Sequence, residues 1–220
     1  MRALVVEDDE DIAGDIAANL AECGFLVETI ADGAIACAQG NDEDYDLIVL
    51  DVGLPQVDGI SVLRRWRASG RDFPVIILSA RGDWTEKVEG IEAGADDYLA
   101  KPFQMGELTA RARALVRRAA GYASPVMRLG KLTLDTRRMQ AVVDGAPVRV
   151  SPLEYRLLDY LAHHADRIVS TGELGEHLYG VADPTDANAV EAIVSRLRRK
   201  LGADVIKTQR GFGYLLEQNP

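Results

Sequence analysis

The segment DYDLIVLDVGLP, residues 44–55, places an uninterrupted run of Leu, Ile and Val directly before an aspartate, Asp51. A run this apolar predicts a strand that is buried on both faces, as in a parallel sheet covered by helices. Comparable runs are found at ALVV (3–6), FLVET (25–29), VIIL (75–78) and DYLA (97–100). Stretches that predict helices separate them, near residues 10–22, 33–39, 58–68, 84–92 and 104–118. The first half therefore predicts an α/β fold with a five-stranded, parallel, doubly wound sheet.

Charge divides the chain into two parts of different character. The net charge is −10 over 220 residues, but residues 1–120 hold 23 acidic and 12 basic side chains, whereas residues 121–220 hold 12 and 13. The stretch AAGYASP, residues 119–125, is rich in small residues and contains Gly and Pro, which is typical of a linker. We therefore expect two domains, residues 1–118 and 126–220, joined by this linker.

Composition also limits where the protein works. No stretch reaches the ~20 apolar residues of a membrane span, and the N-terminus MRALVVEDDE turns acidic too early for a signal peptide. Cys23 and Cys37 lie in predicted helices and fit buried reduced thiols better than a disulfide or a metal pair. These features predict a cytoplasmic protein with no membrane partner.

Polar side chains follow four of the predicted strands, at the edge where ligands bind in such sheets. Glu7 and Asp8 follow the first strand, Asp51 the third, Ser79 the fourth and Lys101 the fifth. Three carboxylates packed together repel one another unless a hard cation with oxygen ligands, above all Mg²⁺, neutralises them. A nearby ammonium and hydroxyl would bind the oxygens of a phosphoryl group. The pattern predicts a site that accepts a phosphoryl group on Asp51.

Four motifs in this half resemble the receiver domain of bacterial two-component response regulators: VVEDDEDI, LIVLDVGLPQVDGI, VIILSARG and GADDYLAKPF. The resemblance covers residues 1–118 and implies a flavodoxin-like domain that a sensor histidine kinase phosphorylates. It also implies a cis Lys101–Pro102 bond. The implied roles are phospho-acceptor for Asp51, Mg²⁺ ligands for Asp8, Asp51 and the carbonyl of Gly53, holder of a metal-bound water for Glu7, hydroxyl switch for Ser79, moving aromatic for Tyr98 and phosphoryl clamp for Lys101.

The second half predicts a different architecture. Short alternating strands within residues 126–150, with a DG turn at 144 and 145, indicate a small antiparallel sheet. Two helices follow, SPLEYRLLDYLAHHA with Ser151 as its cap and STGELGEHLYG with Ser170 as its cap. Strands and helices that are segregated in this way predict an α+β domain.

A third helix, NAVEAIVSRLRRKLG from residue 188, carries basic side chains on the face opposite its apolar stripe. Arg and Asn suit the major groove, where Arg reads guanine and Asn reads adenine; a solvated basic face is the alternative. The C-terminal VIKTQRGFGYLLE predicts a hairpin whose tip offers Arg210 to a minor groove. The candidate DNA contacts of the helix are Asn188, Ser195, Arg196, Arg198 and Arg199.

A helix-turn-helix followed by a hairpin wing is a winged helix. SPLEYRLLDYLAHHADRIVS, NAVEAIVSRLRRKLG and IKTQRGFGYLL resemble the effector domain of the OmpR/PhoB family of transcription factors, with the greatest likeness to regulators of the PhoP, PmrA and QseB type. The family usually has Arg where this chain has Thr171, whose hydroxyl at a helix N-terminus can still bind a phosphate. The resemblance implies promoter DNA and RNA polymerase as partners, and a homodimer that forms on phosphorylation.

Ion pairs between two receivers would hold that dimer. By the resemblance, the paired positions are Lys87 with Glu107, Asp97 with Arg111, and Asp96 with Arg118. The alternative is that Glu107 and Arg111, four residues apart with Glu leading, pair within one helix.

Two other functions fit parts of the pattern. A Mg²⁺-dependent phosphatase with an Asp nucleophile also gathers carboxylates at strand ends, but it would need a second Asp two residues on, where this chain has Gly53. A regulator that binds DNA without phosphorylation would have no need of the intact site residues. We therefore expect a phosphorylation-dependent transcriptional regulator that is not an enzyme.

Overall fold

The computed structural model describes residues 1–80, 84–180 and 186–218, without the side chains of residues 86 and 186. The chain forms two compact units, Met1–Ala119 and Ala120–Pro220. The first unit ends one residue beyond the predicted boundary at 118, because its last helix continues to Ala119. Within the described residues, no helix is both long and apolar enough to cross a bilayer.

The first unit is the predicted doubly wound α/β domain. Its sheet has the strand order β2-β1-β3-β4-β5, and all neighbouring strands are parallel. The predicted helix at 33–39 is three residues longer than expected and ends at Asp42. The elements in chain order are β1 (Arg2–Val6), α1 (Glu10–Glu22), β2 (Leu26–Ile30), α2 (Gly33–Asp42), β3 (Leu47–Asp51), α3 (Gly59–Ala68), β4 (Val75–Ser79), α4 (Trp84–Glu92), β5 (Asp97–Ala100) and α5 (Met105–Ala119).

The central strands β3 and β4 are buried along their whole length, which explains their continuous apolar sequences. On one face of the sheet, the fully buried Trp66 packs edge-on against Phe73 with 5.3 Å between the ring centroids. Its indole N–H donates to the carbonyl of Cys37 at 3.1 Å, which ties α3 to α2. Gly40 leaves room for this ring, because an added Cβ would lie 2.4 Å from it.

A polar network closes the opposite end of the sheet from the predicted site. The Arg2 guanidinium donates to Glu28 at 2.6 Å, and the Tyr45 hydroxyl donates to the same carboxylate at 2.9 Å. Burial alone would raise the pKa of Glu28, but these hydrogen bonds outweigh it and lower the pKa below 4.5. Glu28 therefore stays ionised, and its carboxylate links β2 to Arg2 on β1 and to Tyr45, which lies just before β3.

Within its described residues, the second unit contains a four-stranded antiparallel sheet, three helices and a C-terminal hairpin. Asp144 and Gly145 both have positive φ, at 50° and 81°, as a two-residue hairpin turn requires. Ser151 and Glu154 form a reciprocal capping box, and Ser170 accepts from the backbone N–H of Glu173 at 3.1 Å. The elements are β6 (Val126–Leu129), β7 (Leu132–Asp135), β8 (Gln140–Val143), β9 (Ala146–Val148), α6 (Pro152–His163), α7 (Thr171–Tyr179), α8 (Asp186–Leu201), β10 (Lys207–Gln209) and β11 (Gly213–Leu215).

The hairpin β10–β11 is attached to the helices through β11. Val169 and Tyr214 exchange backbone hydrogen bonds at 2.8 Å in both directions. Gly213, with φ 144°, must approach this bridge closely, because an added Cβ would lie 2.0 Å from the carbonyl oxygen of Val169. Helix-turn-helix plus hairpin is the predicted winged-helix arrangement.

Candidate functional site

The predicted acidic residues converge at the carboxyl edge of the parallel sheet. Asp51 is the last residue of β3 and is 5% exposed, while Glu7 follows β1 and is 2% exposed. Asp8 lies beside them at the surface. Carboxylate oxygens of these residues, one from each, all lie within 4.8 Å of one another. Because strand β1 neighbours β3, the fold itself brings the three carboxylates together.

The ammonium group of Lys101 forms ion pairs with two of these carboxylates. The Lys101 ammonium lies 2.7 Å from Glu7 Oε2, 2.8 Å from Glu7 Oε1 and 3.1 Å from Asp51 Oδ1. Burial alone would lower the pKa of Lys101, but the hydrogen bond with Glu7 and the charge of Asp51 raise it. Burial also raises the pKa of Glu7, as does the charge of Asp51, against the hydrogen bond from Lys101.

The donor set fits a divalent cation. Three carboxylates against one ammonium leave an excess of negative charge at the sheet edge, and all the acidic ligands offer oxygen. Gly53 lies two residues beyond Asp51, where an added Cβ would come within 3.2 Å of Asp51 Oδ2. Glycine at position 53 therefore avoids a tight contact with the Asp51 carboxylate.

The remaining predicted receiver residues lie on β4, on β5 and just after β5. Ser79 ends β4 and is almost fully buried, and its carbonyl accepts from the Lys101 backbone N–H at 2.8 Å. The Lys101–Pro102 bond is cis, as the resemblance implies. Tyr98 is partly buried against the core, and the Lys87 ammonium lies 5.9 Å from its ring centroid. The last two residues of the VIILSARG motif, 81 and 82, lie outside the described residues.

Helix α8 buries its apolar stripe as predicted, at Val190, Ile193, Val194, Leu197 and Leu201. The opposite face is exposed and holds four of the predicted DNA contacts: Asn188, Ser195, Arg196 and Arg199. Thr171 is the first residue of α7, directly after its cap, so its hydroxyl lies at a helix N-terminus. Arg210 is exposed at the tip of the wing, and Phe212 beside it is 73% exposed.

Arg198 differs from its neighbours because its guanidinium already binds the wing. Its Nε and Nη2 donate to the carbonyl of Ile206 at 2.9 and 2.7 Å, and Nη2 also donates to Thr208 Oγ1 at 2.6 Å. The guanidinium carbon lies 5.9 Å from the ring centroid of Tyr214 on β11. The side chain therefore joins α8 to the hairpin.

Most of the predicted dimer residues have partners within the single chain. Arg111 donates to both carboxylate oxygens of Asp97 at 2.8 and 3.0 Å, and to Glu107 at 2.7 Å. Asp96 accepts from the backbone N–H of Val75 at 2.9 Å and from Arg67 at 3.2 Å. Arg118 is exposed in the last turn of α5. The intrachain pair of Glu107 and Arg111, given above as the alternative, is thus present in the monomer.

The sequence analysis did not identify several residues that lie near the predicted interfaces. Trp84, Val88 and Ile91 form an exposed apolar stripe on α4, at 74, 42 and 55% exposure. Their spacing of four and three residues was a signal that could have identified one helix face. Arg67 and Glu154 pair with residues far away in sequence, and no local pattern indicates such partners.

Both units of the chain match known protein families. The family profile described as Response regulator receiver domain matches residues 3–113, and the one described as Transcriptional regulatory protein, C terminal, matches residues 145–216. The two-component response regulator PhoP of Pseudomonas aeruginosa is 43% identical over 222 residues, covering 99% of each chain. The response regulator protein PmrA of the same organism is 42% identical over 218 residues, again covering 99% of each.

A solved structure is similar along the whole chain. The response regulator DrrB, described as a Thermotoga maritima OmpR/PhoB homolog, has 28% sequence identity and a TM-score of 0.50 over 98% of each chain. Both units of this protein therefore match one known domain combination, in the same order. The chain belongs to the OmpR/PhoB family of two-component response regulators, which are transcriptional regulators with a receiver and a DNA-binding domain.

Proposed function

We propose that Asp51 accepts a phosphoryl group from a sensor histidine kinase. The observation that carries this proposal is the convergence of Glu7, Asp8, Asp51 and Lys101 at one sheet edge. Asp8, Asp51 and the Gly53 carbonyl would hold Mg²⁺, with Glu7 binding it through water. When bound, Mg²⁺ would neutralise the carboxylates and the oxygens of the incoming phosphoryl group.

The residues around Asp51 would respond to the new dianion. Lys101, already 3.1 Å from Asp51 Oδ1, would pair with a phosphoryl oxygen, and the Ser79 hydroxyl would turn to donate to another. Movement of Ser79 would open space on its outer side, and Tyr98 on the neighbouring strand would rotate into it. The Lys87 ammonium above the Tyr98 ring would then be released. The change would thereby reach the surface of α4, β5 and α5.

That surface would form the receiver dimer. Arg111 and Asp97 would exchange their intrachain pair for one across the two-fold axis, together with Lys87–Glu107 and Asp96–Arg118. The apolar stripe of Trp84, Val88 and Ile91 supports this assignment, because it lies on the same face of α4 as Lys87. Among the described residues, no other helix of the receiver has a comparable exposed apolar stripe. Exposed ion pairs contribute only ~0–1 kcal/mol each, so the apolar stripe would supply much of the dimer affinity.

Two joined receivers would bring two winged helices onto adjacent half-sites of promoter DNA, raising affinity by joint engagement. Arg196, Arg199, Asn188 and Ser195 would face the major groove, and Arg210 the minor groove. Arg198 would act differently, by positioning the wing. RNA polymerase would be the further partner, and the cytoplasm, where bacterial promoters lie, the working compartment.

Acetyl phosphate with Mg²⁺ distinguishes this regulator from an enzyme and from a scaffold. We expect a stoichiometric, acid-stable and base-labile phosphoryl group on wild type, detected as an increase in intact mass, and none on Asp51→Asn. Continuous release of phosphate with multiple turnovers would indicate a phosphatase. Absence of any modification would indicate a receiver that serves only as a dimer scaffold.

The dimer face has its own test with beryllium fluoride, a phosphoryl mimic, and Mg²⁺. Sedimentation of wild type should show a dimer, and Ile91→Asp should stay monomeric because it places a charge in the apolar stripe. Ile35→Asp is the matched control, since Ile35 is exposed to a similar degree, 59% against 55%, but lies on α2. A dimer that survives Ile91→Asp and is lost with Ile35→Asp would assign the interface to a different face.

A further inference from the structure

Glu154 is a buried carboxylate at the start of α6, with 2% of its surface exposed. It completes the capping box, in which Oε2 accepts from the Ser151 backbone N–H at 2.7 Å and Ser151 Oγ accepts from the Glu154 N–H at 3.3 Å. A capping box requires a carboxylate or amide at this position but does not require burial. Its burial therefore has another cause.

That cause is contact with α8. Lys200 Nζ lies 2.6 Å from Glu154 Oε2, and Arg196 Nε lies 3.7 Å from Oε1. Lys200 and Arg196 are four residues apart, so they lie on one side of α8 and reach the same carboxylate. Burial alone would raise the pKa of Glu154, but the hydrogen bonds from Lys200 and from the Ser151 backbone lower it. Glu154 is thus a charged anchor between the cap of α6 and the basic side of α8.

The geometry bears on how Arg196 could read a base. Its side chain is still 47% exposed, although its Nε faces Glu154. An arginine reads guanine best when two of its N–H groups point at O6 and N7 together. The Glu154 carboxylate lies on the Nε side at 3.7 Å, beyond hydrogen-bond distance, so its charge favours an orientation in which the two terminal nitrogens point away from Glu154 and toward a ligand.

We propose that Glu154 is a positioning residue for base recognition, which orients the Arg196 guanidinium and is itself held in place by Lys200. This inference rests on the proposed function of α8 as the helix that enters the major groove. The Glu154 carboxylate then has two opposite effects on DNA binding. The carboxylate raises discrimination between sequences through Arg196, and its negative charge opposes binding to the phosphates of any sequence.

The opposite effects make the test specific. Glu154→Gln keeps an oxygen for the Ser151 N–H but removes the charge that faces Arg196 and Lys200. The two probes are a duplex selected from a random pool by wild type and a duplex of scrambled sequence. We expect affinity for the selected duplex to fall about tenfold, as for one misplaced bidentate contact, and affinity for the scrambled duplex to stay equal or rise.

Two controls separate this effect from charge and from capping. Glu173→Gln removes the same charge at the equivalent position of α7, where Glu173 also follows a serine cap. Ser151→Ala removes the hydroxyl half of the α6 capping box and leaves the Glu154 carboxylate intact. Both should keep the ratio of selected to scrambled affinity within about twofold of wild type. Equal loss of both affinities in Glu154→Gln would show a purely structural role and overturn the inference.

A second variant keeps the inference testable if Glu154→Gln, a substitution at a buried position, does not fold. Lys200→Met changes a partly exposed side chain and keeps a glutamate at position 154, but it removes the ammonium that holds this carboxylate. The ratio of selected to scrambled affinity should therefore again fall severalfold. An unchanged ratio would overturn the inference. If Arg196→Ala leaves the ratio unchanged, Arg196 reads no base, and the inference fails while DNA binding stands. If wild type selects no duplex at all, the proposed function fails together with it.

Discussion

Replacement of Arg198 by Met should loosen the wing from α8 without unfolding either element. Met keeps the apolar stem of the side chain but removes the guanidinium, whose nitrogens donate to the Ile206 carbonyl and to Thr208 Oγ1 at 2.6–2.9 Å. Both acceptors belong to the segment that leads into and begins β10. The variant therefore tests whether Arg198 supports the wing or binds DNA directly.

The magnitude follows from the kind of hydrogen bond that is lost. Hydrogen bonds from a charged donor contribute about 1.5–3 kcal/mol, and Arg198 is only partly buried, so we take about 2 kcal/mol for the set. Since every 1.4 kcal/mol is a factor of ten, local opening of the hairpin should become roughly 30-fold more frequent.

Hydrogen exchange of the peptide that spans residues 206–216 measures this opening directly. We expect roughly 30-fold faster exchange in Arg198→Met and no change in Arg199→Met, an equivalent substitution at its exposed neighbour. DNA affinity should fall in Arg198→Met, and adding Arg210→Ala should cause little further loss, because both substitutions disable the same wing. Unchanged exchange, combined with additive losses of affinity, would refute the assignment and make Arg198 a DNA contact.

Other perturbations test the receiver. Hydrogen bonds lower the pKa of Glu28 below its ordinary value of 4.5, so they stabilise the fold fully above pH 4.5 and lose this effect as the pH falls through the pKa of the folded state. Glu28→Gln should therefore lower the free energy of unfolding, measured in urea, at pH 7. In acid, the free energies of unfolding of the variant and of wild type should become equal. Gly59→Ala should cost about 2 kcal/mol, measured the same way, because its Cβ would lie 2.0 Å from the Asp51 carbonyl oxygen; a neutral result would show that α3 can shift freely. Asp97→Arg should prevent the beryllium fluoride dimer and the added Arg111→Asp should restore it; if the double variant stays monomeric while folded, this pair does not cross the interface.

The receiver could be predicted closely from sequence because its site depends on strand ends. Parallel strands fix which edge their carboxyl ends share, so Glu7, Asp51 and Lys101 had to meet once the alternation of strands and helices was recognised. The strand β3 and the helix α1 were predicted to within one residue at each end, since both have strong apolar or capping signals.

Tertiary partners of charged side chains could not be predicted in this way. Arg198 was assigned to DNA from its place on the helix, yet its acceptors include a backbone carbonyl in a segment with no periodic pattern. Ser151 was recognised as the cap of α6, while Glu154, its partner in the capping box, also binds Lys200, which lies 46 residues away. Helical periodicity states which side of α8 is apolar, but the tertiary packing of α8 against the wing and against α6 decides which arginine has a partner within the chain.

Control of DNA binding by Asp51 is measured most directly by titrating the selected duplex with the full chain before and after treatment with acetyl phosphate and Mg²⁺. Phosphorylated wild type should bind at least tenfold more tightly, since two linked winged helices engage together, and Asp51→Asn should show the same affinity with and without treatment. Wild type that carries the phosphoryl group on Asp51 but binds with unchanged affinity, or Asp51→Asn that responds as wild type does, would contradict the proposed coupling between the receiver and DNA.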